Sequence, residues 1–318
     1  MNTRCAVIGT GYLGKFHAQK YAALPEATLV AVVDTDAERA AQIAGELGCR
    51  AETDYTAILD EVDAVSIVTP TVTHHAVASA CLQRGIHVLL EKPITTTLAE
   101  ADELIALASA HRCTLQIGHL ERYNAAVRAL NTRLTQAPLF VESHRLASFK
   151  PRATDVNVIL DLMIHDIDII LDLVKSDVTD IRASGASVLS DEVDIANARL
   201  EFANGCVANV TSSRVSQKSE RKMRLFMKDA YVTLDFQEKA LDVYQKGQGE
   251  MFPGIPNISH DKVNCGVSDA LREEIKDFLR VIRSGETPLV SGEDGRRALA
   301  TALRINALFS AAPALGTQ

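Results

Sequence analysis

Arg4-Cys5-Ala6-Val7-Ile8-Gly9-Thr10-Gly11-Tyr12-Leu13-Gly14 is the stretch from which the architecture follows. Residues 4–8 read as an apolar strand and 14–24 as a helix, with G-x-G-x-x-G between them. The glycine pattern alone is weak. Inside a strand–turn–helix unit it marks a dinucleotide-binding turn. Gly9 permits the tight turn, Gly11 lets a pyrophosphate approach the backbone, and Gly14 lets helix and strand pack closely. Tyr12 and Leu13 complete the turn, and the positive end of the helix faces the phosphates. Asp34 ends the next strand, twenty residues past Gly14. A carboxylate there accepts hydrogen bonds from the adenosine ribose and repels a 2′-phosphate. No Arg or Lys occupies 35–38, the first being Arg39, so NAD is expected over NADP.

Further along, strands at 28–33, 64–68, 87–90 and 114–117 alternate with helices at 36–47, 74–84 and 98–111. Thr97 and Glu100 form a capping box ahead of the last of these. Such alternation predicts a parallel sheet covered on both faces. After residue 120 the rhythm changes. Helices at 124–134 and 156–174 flank a strand at 139–146. Strands at 181–189, 195–202, 206–213, 222–227 and 231–236 then follow with little helix between them. The fold class expected is α/β: a Rossmann domain over 1–119, then an α+β domain over 120–318 with a largely antiparallel open sheet. Final helices are expected at 267–284 and 295–308. The stretch 247–266, rich in Gly, Pro and Asn, reads as a long irregular loop, a candidate lid or oligomer arm.

With 318 residues, 47% hydrophobic and 23% charged, the chain is too apolar for bulk disorder. It has no run of ~20 apolar residues that would span a membrane. A net charge of −8 argues against a general nucleic-acid binder. The apolar strand begins at once, without a charged-then-apolar leader, and the six scattered cysteines form no C-x-x-C. Reduced thiols and a cytoplasmic location are therefore expected.

Two patterns carry chemistry. In the apolar helix 158–174, Asp161, His165, Asp168 and Asp172 fall on one face, with Asp166 beside them. A stripe of this kind on a buried helix must face a cleft or be paired. His165 is a candidate base and Asp161, one turn away, its orienting partner. A helix whose polar edge merely meets water is the plainer alternative. No second His stands at metal-ligand spacing, so no metal is expected. Glu91-Lys92-Pro93 ends a strand of the parallel sheet, where ligands bind in such sheets. A lysine there can stabilise a developing alkoxide; a surface lysine is the plainer alternative.

Together these elements resemble the Gfo/Idh/MocA oxidoreductases over nearly the whole chain. The resemblance is carried by Gly9 to Gly14 with Asp34; by Asp63-Ala64-Val65 leading to Thr69-Pro70 and His74; by Gly85-Ile86-His87-Val88 to Glu91-Lys92-Pro93; and by Asp161 four residues before His165. It implies a catalytic, substrate-touching set of Lys92, Asp161 and His165. It also implies NAD as cofactor, with Thr69, Pro70 and His74 on its side and Glu91, Lys92 and Arg122 near the nicotinamide ribose. Ile159, Leu160 and Leu162 stand where many members have glycines, so that helix is expected to begin differently. The stretches 116–124, 142–146, 161–168, 194–200 and 204–209 are similar to one branch of the family. Its members oxidise the 3-hydroxyl of UDP-N-acetylglucosamine ahead of transamination for amide-linked lipid A.

A nucleotide diphosphate needs cationic donors. Two basic stretches in this acidic chain offer them: Arg145, Lys150 and Arg152, then Arg214, Lys218, Arg221, Lys222 and Arg224. Arg145 and Arg214 are the candidates for substrate binding. A dehydrogenase of a free sugar or cyclitol such as myo-inositol remains the rival enzyme, and a non-enzymatic cofactor sensor the rival of another class. The open sheet needs cover on its second face, so a homodimer or homotetramer through it is expected.

Asp34 makes cofactor choice testable. Initial rates should show a higher kcat/KM with NAD than with NADP, and Asp34→Ala should narrow the difference. Equal values in the unmodified protein would remove this role for Asp34.

Overall fold

The computed structural model describes residues 2–134, 136–149, 156–266 and 268–310. Lys150, Arg152 and Val267 lie outside the described residues. The chain divides into two compact units. The first is Met1–Tyr123 with Asp269–Arg296, and the second Asn124–Ser268 with Arg297–Gln318.

Unit 1 runs β1 (Thr3–Ile8), α1 (Tyr12–Ala23), β2 (Ala27–Val33), α2 (Ala37–Leu47), β3 (Arg50–Glu52), β4 (Ala64–Ile67), α3 (His74–Gln83), β5 (His87–Glu91), α4 (Leu98–His111) and β6 (Leu115–Gly118). The six strands pair in the order β3-β2-β1-β4-β5-β6, all in parallel. Every residue of β4 and β6 is buried, Ser66 and Gln116 included, so these strands show no alternation of buried and exposed positions, as expected of a parallel sheet covered on both faces. The capping box of α4 forms as read, with Glu100 Oε2 accepting from Thr97 N–H and Thr97 Oγ1 from Glu100 N–H.

Unit 2 runs α5 (Ala125–Asn131), β7 (Phe140–Leu146), a π-helical turn (Ile159–Met163) leading into α6 (Ile164–Val174), then β8 (Val178–Ala186), β9 (Ile195–Phe202), β10 (Val207–Ser213), β11 (Glu220–Met227), β12 (Ala230–Asp235), β13 (Ala240–Phe252) and β14 (Ile255–Asn264). Its eight strands are ordered β14-β13-β12-β11-β7-β10-β9-β8. All neighbours are antiparallel except β10 with β7. Apolar residues of α5, α6 and one sheet face share a single core, including Ile167, Ile170, Val210, Leu225 and Leu234.

Two features differ from the sequence reading. Residues 247–266 are not an irregular loop: β13 and β14 form a long hairpin, and Pro253-Gly254 is its tip, with Gly254 at φ +79°. Pro256 is tolerated because β14 is an edge strand. The single boundary at 119/120 also gives way to a return crossing. α7 (Ala270–Ser284) belongs to unit 1 and α8 (Gly292–Ser310) spans the second crossing. The cause is α7's apolar stripe. Leu271, Ile275, Phe278 and Leu279 lie in the core with Val7, Ala18, Tyr21 and Leu89.

All six cysteines are free. Burial pushes the Cys5 and Cys81 thiols each up to about 12.

Candidate active site

In unit 1 the chain leaves β1 through Gly9, whose φ of +89° is left-handed and where a Cβ would lie 2.6 Å from the Val68 carbonyl oxygen. A Cβ on Gly14 would lie 1.8 Å from the Gly9 carbonyl oxygen, so any side chain there would push α1 off β1. Gly11 is the N-cap of α1, with no side-chain cap and no acid in the first turn. A Cβ on it would meet nothing within 4 Å. The positive end of the helix thus faces outward over bare backbone, an anion site.

Asp34 stands across from it. Its Oδ2 accepts from the Thr10 N–H at 2.7 Å and the Thr10 hydroxyl at 2.9 Å, and its Oδ1 from the Asp36 N–H at 3.0 Å. Burial alone would raise this carboxyl; the backbone and hydroxyl donors, with Arg39 at 3.6 Å, hold it below the usual carboxylate range. The anion keeps lone pairs for ribose hydroxyls.

A cleft of about 660 Å³ is lined by Gly9, Gly11, Asp34, Thr69 and Pro70, within the usual range for a small-molecule site. Bare backbone, a positive helix end and a fixed carboxylate are what NAD requires, so the residues present fit it. Arg39 and Tyr55 also line the cleft. The sequence reading singled out neither as a ligand. Tyr55 comes from a short 3₁₀ turn beyond β3, where no motif spacing points to it.

Other members of the expected cofactor set lie outside that lining. Tyr12 is 73% exposed, edge-on to Phe16 at 5.3 Å. His74 is buried, with Nε2 2.9 Å from the Thr69 carbonyl and Nδ1 2.9 Å from the Pro93 carbonyl. It ties together the loops after β4 and β5. Arg122 is buried 3.6 Å from Asp294. Glu91 closes β5, and its Oε2 accepts the Lys92 N–H at 3.2 Å. Lys92 follows, half-buried, at the carboxyl end of the sheet.

In unit 2, Asp161 sits within the π-helical turn and His165 in the first turn of α6, both half-buried. Asn157 starts this segment: its Oδ1 accepts from the Ile159 and Leu160 N–H groups, each at 3.1 Å. π-helical turns recur at functional sites because the extra residue re-aims a side chain. Asp168, expected on the polar stripe, is buried, as is Asp166.

The two arginines expected to meet a diphosphate are instead paired inside the unit. Arg145, 2% exposed, donates Nε to Asp166 Oδ2 at 2.8 Å and Nη2 to Asp166 Oδ1 at 3.1 Å, over the Phe236 ring. Arg214 donates Nε to Asp194 Oδ1 at 2.7 Å, Nη2 to the Ser190 hydroxyl at 2.9 Å, and Nη1 to the Val156 carbonyl. Burial would raise the Asp194 carboxyl, but the Leu189 and Val188 N–H groups and the Arg214 guanidinium hold it well below the usual range. Alternation along β7 points Arg145 inward, and Arg214, just past the end of β10, is buried as well; both serve as counter-ions.

Comparison with known proteins fits this geometry. Residues 3–119 match the oxidoreductase family with NAD-binding Rossmann fold, and residues 126–233 match the GFO/IDH/MocA C-terminal domain. The chain belongs to this family. Within it, the chain is 45% identical to the UDP-N-acetylglucosamine 3-dehydrogenase of Acidithiobacillus ferrooxidans over 98% of each chain. A solved structure of that enzyme superposes with a TM-score of 0.92 at 46% identity, covering 96% of this chain and 97% of the other. The myo-inositol 2-dehydrogenase of Thermotoga maritima is 27% identical over 93% of each chain. Like its family, the chain is an NAD-binding oxidoreductase, and the cleft at Gly11 and Asp34 is where its residues fit NAD.

The Arg145–Asp166 pair is open to test. Arg145→Ala would leave Asp166 as a buried, unpaired charge, with an expected stability loss of ~3–5 kcal/mol. Denaturant unfolding reads this, and adding Asp166→Ala should recover much of the loss. A loss under ~1 kcal/mol, the range of exposed pairs, would show that the pair is not a buried one.

Proposed function

We propose that this chain oxidises the 3-hydroxyl of UDP-N-acetylglucosamine to the 3-keto sugar. The observation that carries this reading is 45% identity, along 98% of both chains, to an enzyme named for that reaction. When bound, NAD supplies the hydride acceptor. His165 takes the hydroxyl proton on its imidazole, and Asp161, one turn earlier, orients the ring. The Lys92 ammonium stabilises the developing alkoxide. On this reading the ketone is the substrate of an aminotransferase that supplies amide-linked lipid A, and the enzyme works in the cytoplasm. Among the described residues no helix is long and apolar enough to cross a membrane.

The open face of the unit 2 sheet supports a second part of the proposal, self-association through that face. Phe140, Phe226, Tyr231, Tyr244 and His260 lie side by side across β7, β11, β12, β13 and β14. Successive ring centroids are 6.0, 5.0, 5.5 and 4.3 Å apart. Such a ladder buries well only against another flat surface, and a second copy of the same sheet supplies one.

Initial-rate kinetics on UDP-N-acetylglucosamine, N-acetylglucosamine and myo-inositol test the substrate. The nucleotide sugar should win by ~100-fold or more in kcat/KM, because remote binding energy positions the reacting carbon. Comparable turnover of the uncharged sugars would favour a cyclitol dehydrogenase. Lys92→Met should lose ~100-fold in kcat, the scale of one charge-stabilising donor, while NAD binding measured by fluorescence persists. His165→Asn should lose a similar factor and flatten the acid limb of the pH–rate profile. Sedimentation at micromolar concentration should give a dimer or tetramer, and Tyr231→Lys should shift it toward monomer. A monodisperse parent monomer would overturn the sheet-to-sheet assembly.

A further inference from the structure

Beneath the Glu91-Lys92 turn, unit 1 holds a buried polar cluster that the reaction scheme leaves unused. His17 comes from α1, Glu91 from the end of β5 and Glu274 from α7. One ligating atom of each lies within 4.8 Å of the others. His17 Nδ1 is 3.2 Å from the Ser66 hydroxyl, which is 2.9 Å from the Tyr21 hydroxyl, and His17 Nε2 is 3.3 Å from Glu91 Oε1. Gln116 donates its Nε2 to the Glu274 carbonyl at 3.1 Å. Glu274 is fully buried, yet no N–H or hydroxyl donor among the described residues reaches either of its carboxyl oxygens.

Glu91 is pinned from the other side as well. Gly118 is its partner on β6, and a Cβ there would lie 2.8 Å from Glu91 Oε1. The carboxylate lies flat over that glycine and holds the Lys92 N–H through Oε2. Two buried carboxylates this close cannot both stay charged without a large cost, so the cluster needs a cation or a proton. Among the described residues no donor is hydrogen-bonded to the Glu274 carboxyl and the nearby His17 Nε2 lies toward Glu91, so the proton that can meet the need is one on the Glu274 carboxyl itself.

We infer that Glu274 is carried as a neutral carboxylic acid sharing its proton with Glu91, and that it is a positioning residue for the turn that presents Lys92. Burial, then the charges of Glu91 and Asp277, push the Glu274 carboxyl well above the ordinary carboxylate range. The titratable groups facing the pair are His17 and Tyr21 from α1 and Asp277 from α7. Asp277 is itself engaged, accepting from the Tyr123 hydroxyl at 2.9 Å and from Arg280 Nη2 at 2.8 Å. One proton therefore satisfies Glu274, keeps Glu91 an acceptor for the Lys92 N–H, and leaves the pair with a single negative charge beside His17.

The role in turnover rests on the reading of Lys92 above; the protonation state does not. Infrared difference spectra of the NAD-loaded protein between parent and Glu274→Gln should show the C=O stretch of a protonated carboxylic acid, persisting well above the ordinary carboxylate range. Glu274→Gln keeps a neutral donor and should retain most of the parent's kcat and melting temperature. Glu274→Leu removes the donor and should lower kcat by ~10-fold or more at little change in NAD affinity, in line with the cost of a misplaced catalytic group. Absence of the carbonyl band in the parent, or parental kcat in Glu274→Leu, would overturn the inference. So would a stoichiometric divalent metal in the purified protein whose removal by chelator lowers the melting temperature, because the cluster would then hold a cation instead of a proton. If Glu274→Leu fails to fold, the band and the Glu274→Gln comparison still decide protonation. If the parent does not oxidise the nucleotide sugar, the substrate reading fails while the band still reports on the pair.

Discussion

The 1.8 Å that would separate a Gly14 Cβ from the Gly9 carbonyl oxygen is the constraint on which unit 1 depends. With hydrogen in place of that Cβ, α1 starts directly against the end of β1. Its positive end then points over Gly11 and the cleft rather than into the sheet. The same placement carries the inner face of α1 across the sheet: Tyr21 and Ala18 meet α7, and His17 reaches Ser66 and Glu91. The cofactor cleft and the underside of the Lys92 turn are thus served by one helix, the first through its N-terminus and the second through His17 at its middle, and both depend on a pair of missing methyl groups.

Unit 2 solves a different problem, that of charge inside an apolar layer. Ionised groups taken out of water need partners with good geometry. Asp166 finds a two-pronged guanidinium. Asp194 finds three consecutive N–H groups, those of Val188, Leu189 and Ser190, with the Ser190 hydroxyl and Arg214 besides. The latter set closes the turn between β8 and β9 around a single carboxylate. Arg145 and Arg214, basic residues in an acidic chain, are there to balance acids of their own unit.

Much of this was legible in the residues, and the boundary of legibility is physical. Local rules worked where the determining contact is local: the glycine turn, the Thr97–Glu100 cap, the strand at 195–202. They failed where the partner is distant. Nothing in Arg145 announces that Asp166, on the next helix, will face it. α7's amphipathic stripe was readable, but not that it covers the sheet of the first unit. The β13–β14 hairpin was obscured by Gly247, Gly249, Pro253 and Pro256, which punctuate loops in general; a pairing partner and an edge position make them acceptable here. Of the candidate site, Gly9, Gly11, Asp34, Thr69 and Pro70 line one cleft, and Asp161 and His165 occupy successive turns. The π-helical geometry at Asp161 follows from packing that no periodicity encodes.

The hairpin also bears on how the protein behaves when crowded. β14 is the last strand of its sheet, and a bare strand edge is a template on which another chain can add and propagate a fibre. Pro256 withholds one amide from that edge, and His260, Asp261 and Lys262 stud it with polar and charged side chains. Register shifts between Lys246 and Phe252 of β13 bend the far end of the ribbon. An eight-stranded open sheet can in this way remain exposed at its rim without seeding cross-β aggregation.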